Sequence, residues 1–373
     1  MTSEAPDWGA PPWQIEAEIP ERPLPAQVQA CVVGGGFTGL SAALALARRG
    51  IDVALLEARR IGAGASGRTG GIALEGTAAG PLEGVGDCLP SLARLVEEAD
   101  LDCELRLDGC WELAHQTLTQ RSAARALWRD GEQDLSVVAT VAGGMLDPGA
   151  LLSGLARAAV RAGATIHERA GVRELVPGSP SVVRIGDRVL RADHVVLALN
   201  AYTPGLLAAA HDVTPVLTLA LATEPLDDAT LAGIGLGERL PFYTQDLPYL
   251  WGRVLDDGRL MFGAGLAFDP AGALGRIDVC SGEAAAALAS LEARVRGLHP
   301  ALANVDVTSR WGGPIAFRGS RTPLLGRHPE APGLIVTGAY AGHGVALSVR
   351  IGMLAAAAIV DGAALPAWGS FAP

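Results

Sequence analysis

Residues 31 to 71, CVVGGGFTGLSAALALARRGIDVALLEARRIGAGASGRTGG, constrain the fold of this 373-residue chain more than any other stretch. Gln27 to Val33 has the length and apolar content of a buried strand. Gly34, Gly36 and Gly39 follow with the spacing G-x-G-x-x-G. The first glycine permits a tight turn, the second lets a phosphate approach the backbone, and the third lets a helix pack closely on a strand. Leu40 to Arg49 reads as an alanine-rich helix whose N-terminal amides face the phosphates. Ile51 to Glu57 reads as a second strand, and Glu57 stands 18 residues past Gly39. A carboxylate there accepts the hydroxyls of an adenosine ribose and repels a 2′-phosphate. Strand, helix, strand and terminal acid in register predict a dinucleotide-binding unit.

The next loop indicates which dinucleotide. An NAD domain continues here into a helix or strand, whereas Ile61 to Gly71 holds five glycines, one serine and one arginine. Its unhindered amides, with Ser66 and Arg68, suit phosphate or flavin oxygens and point to FAD. The alternative is a flexible surface loop with a solvated arginine. A third segment agrees with the flavin reading. Gly333 to Gly338 is strand-like, Ala339 to Gly344 (AYAGHG) is a glycine-interrupted turn, and Val345 to Val360 is an apolar helix. The positive end of that helix would stabilise negative charge on a reduced flavin. A plain C-terminal core helix is the competing account.

With 49% hydrophobic and 18% charged residues, the chain is globular and long enough for two cores. Net charge is −11 and no basic run exists, which argues against a nucleic-acid partner. All 29 basic residues are arginine, so lysine is excluded from the chemistry. The five cysteines show neither a C-x-x-C pair nor a metal spacing. Their odd number and the lack of a signal peptide predict reduced thiols in a cytoplasm. The longest apolar stretch is broken by His343 and Arg350, so no membrane span is expected.

The expected fold class is α/β, or α+β overall: a Rossmann-like FAD-binding domain interleaved with a substrate domain, an antiparallel sheet with covering helices. Residues 1–27 form an arm anchored by Trp8 and Trp13. The FAD-binding domain takes 28–85, 143–215 and 318–366, and the substrate domain takes 86–142 and 216–317. Asp147 and Pro148 open a helix. The strand leading to Val172 and Ala192 to Leu199 return to the parallel sheet. Leu217 to Thr223, Tyr249 to Val254 and Leu260 to Gly265 alternate as antiparallel strands, and Gly282 to Leu298 is helical.

Several segments together resemble the FAD-dependent oxidoreductases of the D-amino-acid oxidase, glycine oxidase and sarcosine oxidase superfamily. The similarity is closest to the γ-glutamylputrescine oxidase-like amine oxidases. These segments are VVGGGFTGLSAALALARRG at 32–50, GASGRTGG at 64–71, LDPGALLSGLARAA at 146–159, ALNAYT at 198–203, RWGGPIAFRGSRTPLLGRH at 310–328 and GAYAGHGVALSVRIGMLA at 338–355. The resemblance implies that Gly34, Gly36, Phe37, Thr38 and Gly39 hold the pyrophosphate. Glu57, with Ala58 and Arg59, would hold the ribose, and Val172 the adenine. Ser66, Gly67, Arg68, Thr69, Gly70 and Gly71 would run beside the diphosphate and flavin ring. Asn200 is a further candidate contact, although it and Tyr202 serve equally well as turn residues. Gly342, His343, Gly344 and Val345 would face the pyrimidine edge of the flavin.

Two departures from the family pattern shape the expected chemistry. Amino-acid oxidases of the superfamily place an arginine upstream of a P-x-I-G segment to hold the substrate carboxylate. Here that place falls on Ile315, which favours an amine, with Arg253, Arg318 and Arg321 as possible substitutes. Relatives of sarcosine oxidase attach flavin through a cysteine in this region and activate oxygen with a lysine. Residues 310–328 contain no cysteine and the chain no lysine, so the expected cofactor is non-covalent FAD. The partners are then a small-molecule amine, and O2 or another acceptor. Hydride transfer from the carbon beside nitrogen to flavin N5 would give an imine that hydrolyses. His343, Tyr249, Trp251 and Arg253 are the catalytic candidates, and Tyr243 belongs to the same aromatic segment; core packing is the other account of the ceiling residues. The alternatives are glycine or D-amino-acid oxidation, a non-catalytic flavin-binding protein, and an NAD-dependent dehydrogenase.

Overall fold

The computed structural model describes residues 7–77, 80–116, 126–245, 249–268 and 274–371. The first of two large sheets runs, in spatial order, β17 (Leu324–His328), β18 (Ala331–Gly338), β11 (Arg188–Leu197), β1 (Gln27–Val33), β2 (Val53–Leu56) and β8 (Thr165–His167). β10 (Ser181–Ile185) joins β11, and β9 (Glu174–Val176) joins β10. From β18 to β8 the strands are parallel. Val33 pairs with Leu56 on one side and Leu197 on the other, and Leu197 pairs with Val336. Four carboxyl ends therefore fall in one line, the edge at which open α/β sheets bind ligands.

Helices α1 (Phe37–Ala47), α3 (Pro148–Arg161) and α6 (Gly344–Val360) pack together over this sheet. α1 begins earlier than Leu40 because Gly36 already has N-cap geometry and its carbonyl accepts from Leu40 N. Small residues let α1 and α6 touch: a Cβ on Gly352 would sit 2.4 Å from the Thr38 carbonyl oxygen. Asp147 caps α3 by accepting from Ala150 N at 2.7 Å, with Pro148 in the first turn.

The second sheet runs β16 (Val307–Arg318), β12 (Val213–Pro225), β15 (Arg259–Ala267), β14 (Leu250–Val254), β13 (Phe242–Thr244), β4 (Cys110–Gln116), β6 (Gln133–Val141) and β5 (Ala126–Asp130). Its pairs are antiparallel except β13 with β4, which is parallel. α5 (Gly282–Leu298) packs on β12 and β15, and α4 (Asp228–Gly233) is capped by Asp227. The ribbon β3 (Ile72–Leu74) with β7 (Gly143–Met145) lies between the sheets in sequence. The sequence reading groups all of 86–142 with the second sheet. α2 (Cys88–Glu98) instead buries Cys88, Leu92 and Leu95 in the core formed by α1 and α6, because its apolar stripe faces α6. β4, β5 and β6 of that segment join the second sheet.

Trp8 and Trp13 do anchor the arm. Trp8 Nε1 donates to the Ile277 carbonyl at 3.0 Å, and Gly312 N donates to the Trp8 carbonyl at 2.8 Å. Trp13 Nε1 donates to the Gly67 carbonyl at 2.8 Å, and its ring meets Trp311 edge-on at 5.6 Å.

Candidate active site

A cleft of about 1620 Å³ opens where the carboxyl ends of the parallel strands meet the face of the second sheet. This exceeds the ~300–1,000 Å³ of a pocket for one drug-sized ligand. All three glycine-rich segments reach it. The first contributes Gly34, Gly36, Phe37 and Thr38. Gly34 has φ +113°, and a Cβ there would lie 2.5 Å from the Ala198 carbonyl oxygen. Gly36 meets little besides Ser66 Oγ, so its face toward the cleft is open. Ser66 Oγ accepts from Phe37 N at 3.0 Å, which sets a hydroxyl at the positive end of α1.

Gly39 does not line the cleft. Its place is behind the turn, where a Cβ would be 1.9 Å from the Gly34 carbonyl oxygen. Glu57, Ala58, Arg59 and Val172 line one end. Glu57 Oε2 accepts from Gly35 N at 2.7 Å and Oε1 from Arg59 N at 2.8 Å. Burial raises its pKa above the ordinary carboxylate range, and the two amides oppose that shift. The carboxylate is fixed with lone pairs to spare for hydroxyl donors.

Ser66, Arg68, Thr69 and Gly70 of the second segment line the cleft. Gly67 and Gly71 do not, because both are used for packing. A Cβ on Gly67 would meet the Gly62 carbonyl oxygen at 2.2 Å; one on Gly71, with φ +72°, would meet that of Leu146 at 2.2 Å. Arg68 Nη1 donates to the carbonyls of Trp8, Gly9 and Gly312, so this nitrogen serves the arm and β16.

The third segment contributes Tyr340, Ala341, Gly342, His343, Gly344 and Val345. Ala339 and Ala341 hold φ of 56° and 52°, the left-handed region that costs alanine about 1–2 kcal/mol. Asn200, also in the cleft, pins this turn by accepting Ala339 N on Oδ1 at 2.8 Å. Tyr340 OH meets Thr38 Oγ1 at 2.7 Å and so ties the third segment to the first. Burial pushes the Tyr340 phenol up to about 12. His343 Nδ1 lies 3.3 Å from the Ala341 carbonyl oxygen, which can only accept, so Nδ1 carries the proton and Nε2 the lone pair. Burial lowers the His343 pKa and favours that neutral ring.

The second sheet forms the ceiling. Pairing places Glu112, Tyr243, Trp251, Gly263, Ala220 and Trp311 in one row across β4, β13, β14, β15, β12 and β16. The Trp251 indole covers Gly263 and abuts Gly70: a Cβ on Gly263 would lie 1.9 Å from it, and one on Gly70 2.4 Å. Tyr249 also lines the cleft and is 52% exposed.

Arg253 is not a cleft residue. It is 3% exposed, and its Nε donates to the Gly70 carbonyl at 2.7 Å. It points into a smaller hollow with Glu104, Asp147 and Asp256. Arg253 shares a face of β14 with Trp251, but it stands two residues further along the strand, where the Gly70 carbonyl that it holds separates it from the cleft. Arg318 is likewise structural, bonded to Asp212 at 2.7 Å and to the carbonyls of Pro323 and Ser370. Of the three substitute arginines, Arg321 lines the cleft, from an exposed turn. The sequence reading missed Glu112 and Gln245 and did not assign Tyr340. The available sign for Glu112 was an acid alternating with buried Trp111 and Leu113.

A parallel sheet with aligned glycine turns, a pinned ribose-type carboxylate and a second sheet as roof define a dinucleotide-dependent redox enzyme. Three glycine-rich turns on one cleft fit FAD, whose diphosphate takes backbone amides and whose ring carries hydrogen-bonding N and O atoms along its pyrimidine edge. The chain belongs to the FAD-dependent oxidoreductase (DAO) family, which matches residues 29–358. It is 29% identical over 374 residues to a probable oxidoreductase OrdL of Haemophilus influenzae, covering 88% of this chain and 82% of that one. It is 28% identical over 367 residues to the gamma-glutamylputrescine oxidoreductase of Escherichia coli, covering 87% and 82%. Its fold is similar to that of glycine oxidase from Geobacillus kaustophilus, with TM-score 0.72 and 22% identity, covering 93% of this chain and 99% of that one. No helix among the described residues is long and apolar enough to cross a membrane.

Proposed function

We propose that the protein oxidises the C–N bond of a small amine with non-covalently held FAD, and that O2 or another acceptor reoxidises the cofactor. Bound FAD supplies the acceptor for two electrons from the carbon beside nitrogen. The chain supplies the rest. The turn amides around Gly34 and Gly36 hold the diphosphate, and Glu57 accepts from the ribose. Thr69 and Gly70 flank the ring, and the turn at Gly342 to Val345 presents the positive end of α6 to it. The neutral His343 holds its Nε2 lone pair ready to take a proton from an ammonium, so that the amine enters the reaction uncharged. The indole of Trp251 excludes water above Gly70. The domain division is part of the same reading: a substrate domain on the second sheet roofs an FAD-binding domain on the first, and the enzyme works in the cytoplasm.

The observation that carries the amine reading is Ile315, which lines the cleft where a carboxylate-binding arginine is expected, while the Arg253 guanidinium points away. A small amino acid is the second reading, favoured by Arg321 at the exposed turn. Anaerobic titration followed by flavin absorbance separates them: amines bleach the flavin under the first reading, glycine or D-amino acids under the second. Colour that no member of either panel bleaches removes both.

A further inference from the structure

The row of ceiling residues ends in a carboxylate with no assigned partner in the chemistry above. Glu112 on β4 pairs directly with Tyr243 on β13, and both face the cleft. Tyr243 donates its hydroxyl proton to Glu112 Oε1 at 3.0 Å. Among the described residues Oε2 accepts no hydrogen bond, and no cation stands within ion-pair distance of the group. The other carboxylate that lines the cleft among the described residues, Glu57, already accepts two amides at the far end of the first sheet. Trp251 and Tyr249 continue the wall from Tyr243. A half-buried carboxylate, held on one oxygen and open on the other, with aromatic neighbours, suits an alkylammonium: a charge-assisted bond at one side and ring faces at the other.

We propose that Glu112 and Tyr243 form a subsite for a second, protonated amine, so that the preferred substrates are amines carrying a distal ammonium. The inference rests on the amine reading above and deepens it. Trp251 abuts Gly70, and Glu112 lies two strands further along the same row. Two strand spacings amount to about 10 Å. The distal ammonium therefore sits several methylenes from the end that is oxidised. The same carboxylate repels a substrate whose far end is anionic.

The test uses the holoenzyme with a short series of α,ω-diaminoalkanes and the n-alkylamines of equal length. Two quantities are read: flavin reduction, and binding by quenching of tryptophan fluorescence. In the wild type the diamine is expected to outperform its length-matched monoamine. Glu112→Gln keeps the shape and an acceptor for Tyr243 but removes the charge. It should lower kcat/KM and affinity for diamines roughly 10- to 100-fold, leaving monoamines unchanged. Tyr243→Phe should cost diamines a few-fold, and unchanged FAD absorbance in both variants shows that they are folded. If diamines reduce the flavin no better than monoamines, and Glu112→Gln changes neither, the subsite is wrong while amine oxidation stands. If diamines bind in a Glu112-dependent way without bleaching the flavin, the subsite stands and the amine-oxidoreductase reading fails. Diamines that neither bind nor react overturn the subsite.

Discussion

Replacing Gly39 and Gly36 by alanine, one at a time, separates two uses of glycine within the same motif. A Cβ on Gly39 would stand 1.9 Å from the Gly34 carbonyl oxygen and 3.3 Å from Val32 Cγ1. Ordinary contact needs about 3.5 Å, so α1 must move off β1 by more than an ångström. Overpacking of this size lies at or above the top of the ~1–3 kcal/mol range. For 373 residues the unfolding entropy is about 0.8 kcal/mol/K, so 3 kcal/mol lowers Tm by about 4 °C. The loss should be the same in the apoprotein, because Gly39 does not line the cleft. Gly36→Ala meets only Ser66 Oγ at 2.8 Å, and the hydroxyl can rotate away at the cost of its bond from Phe37 N. That is about 1 kcal/mol, or near 1 °C. Its methyl, however, enters the space of the diphosphate and should weaken FAD binding at least tenfold. Calorimetry of the apoproteins and titration by flavin fluorescence quenching read the two effects. A Gly39→Ala apoprotein that melts with the wild type, or a Gly36→Ala protein with wild-type FAD affinity, refutes the division of labour.

Three further outcomes are expected. Trp13→Ala removes a ring that is 8% exposed, its bond to Gly67 and its contact with Trp311; it should cost about 3–5 kcal/mol and lower Tm by roughly 4–6 °C, and an unchanged melt would show that the arm is not anchored there. Burial, then the neighbouring Asp256, raises the Glu104 carboxyl from 4.5 to about 7. The folded protein thus holds a proton that the unfolded chain has released, and stability falls as pH rises through that window. Glu104→Gln should flatten this slope in melts taken on either side of it, and a wild-type slope in the variant would exclude Glu104 as its source. Acid denaturation should leave FAD in the supernatant; yellow colour in the pellet would establish a covalent bond.

The parts of the fold written in local patterns were legible. β1 and α5 have the bounds their periodicity suggests, and Asp147 with Pro148 announces α3 in two residues. The glycine turns were legible as well, since few other residues tolerate their close approaches. The missing information lies across strands. Strand phase puts Arg253 on the same face as Trp251, and only the Gly70 loop, brought in from elsewhere in the sequence, divides the cleft from the hollow that Arg253 enters. Glu112 becomes a cleft residue because β4 pairs parallel with β13, a partner about 130 positions away and one that no local pattern selects. Gly67 and Gly71 share their loop with Gly70 but pack on Gly62 and Leu146, so membership of a glycine-rich run does not establish contact with a ligand.

The two sheets come from separate stretches of chain, and the site needs them held at a fixed distance. Several hydrogen bonds do this at the cleft itself, the bond from Arg68 Nη1 to the Gly312 carbonyl among them. Arg253 Nε reaches the Gly70 carbonyl at 2.7 Å, Trp311 Nε1 the Arg68 carbonyl at 2.9 Å, and Ala341 N the Ala316 carbonyl at 3.0 Å. The first two bind the ceiling to the second glycine loop, and the third binds it to the turn that opens α6. Each uses a buried or half-buried donor, whose loss leaves an unpaired carbonyl at a cost of about 1–3 kcal/mol. Arg253 thus belongs to the site without touching its contents. Its guanidinium fixes the loop on which Trp251 rests, and Trp251 begins the aromatic wall that ends at Glu112. Roof and floor are therefore positioned by one set of contacts, and a substitution at Arg253 should disturb flavin and substrate binding together.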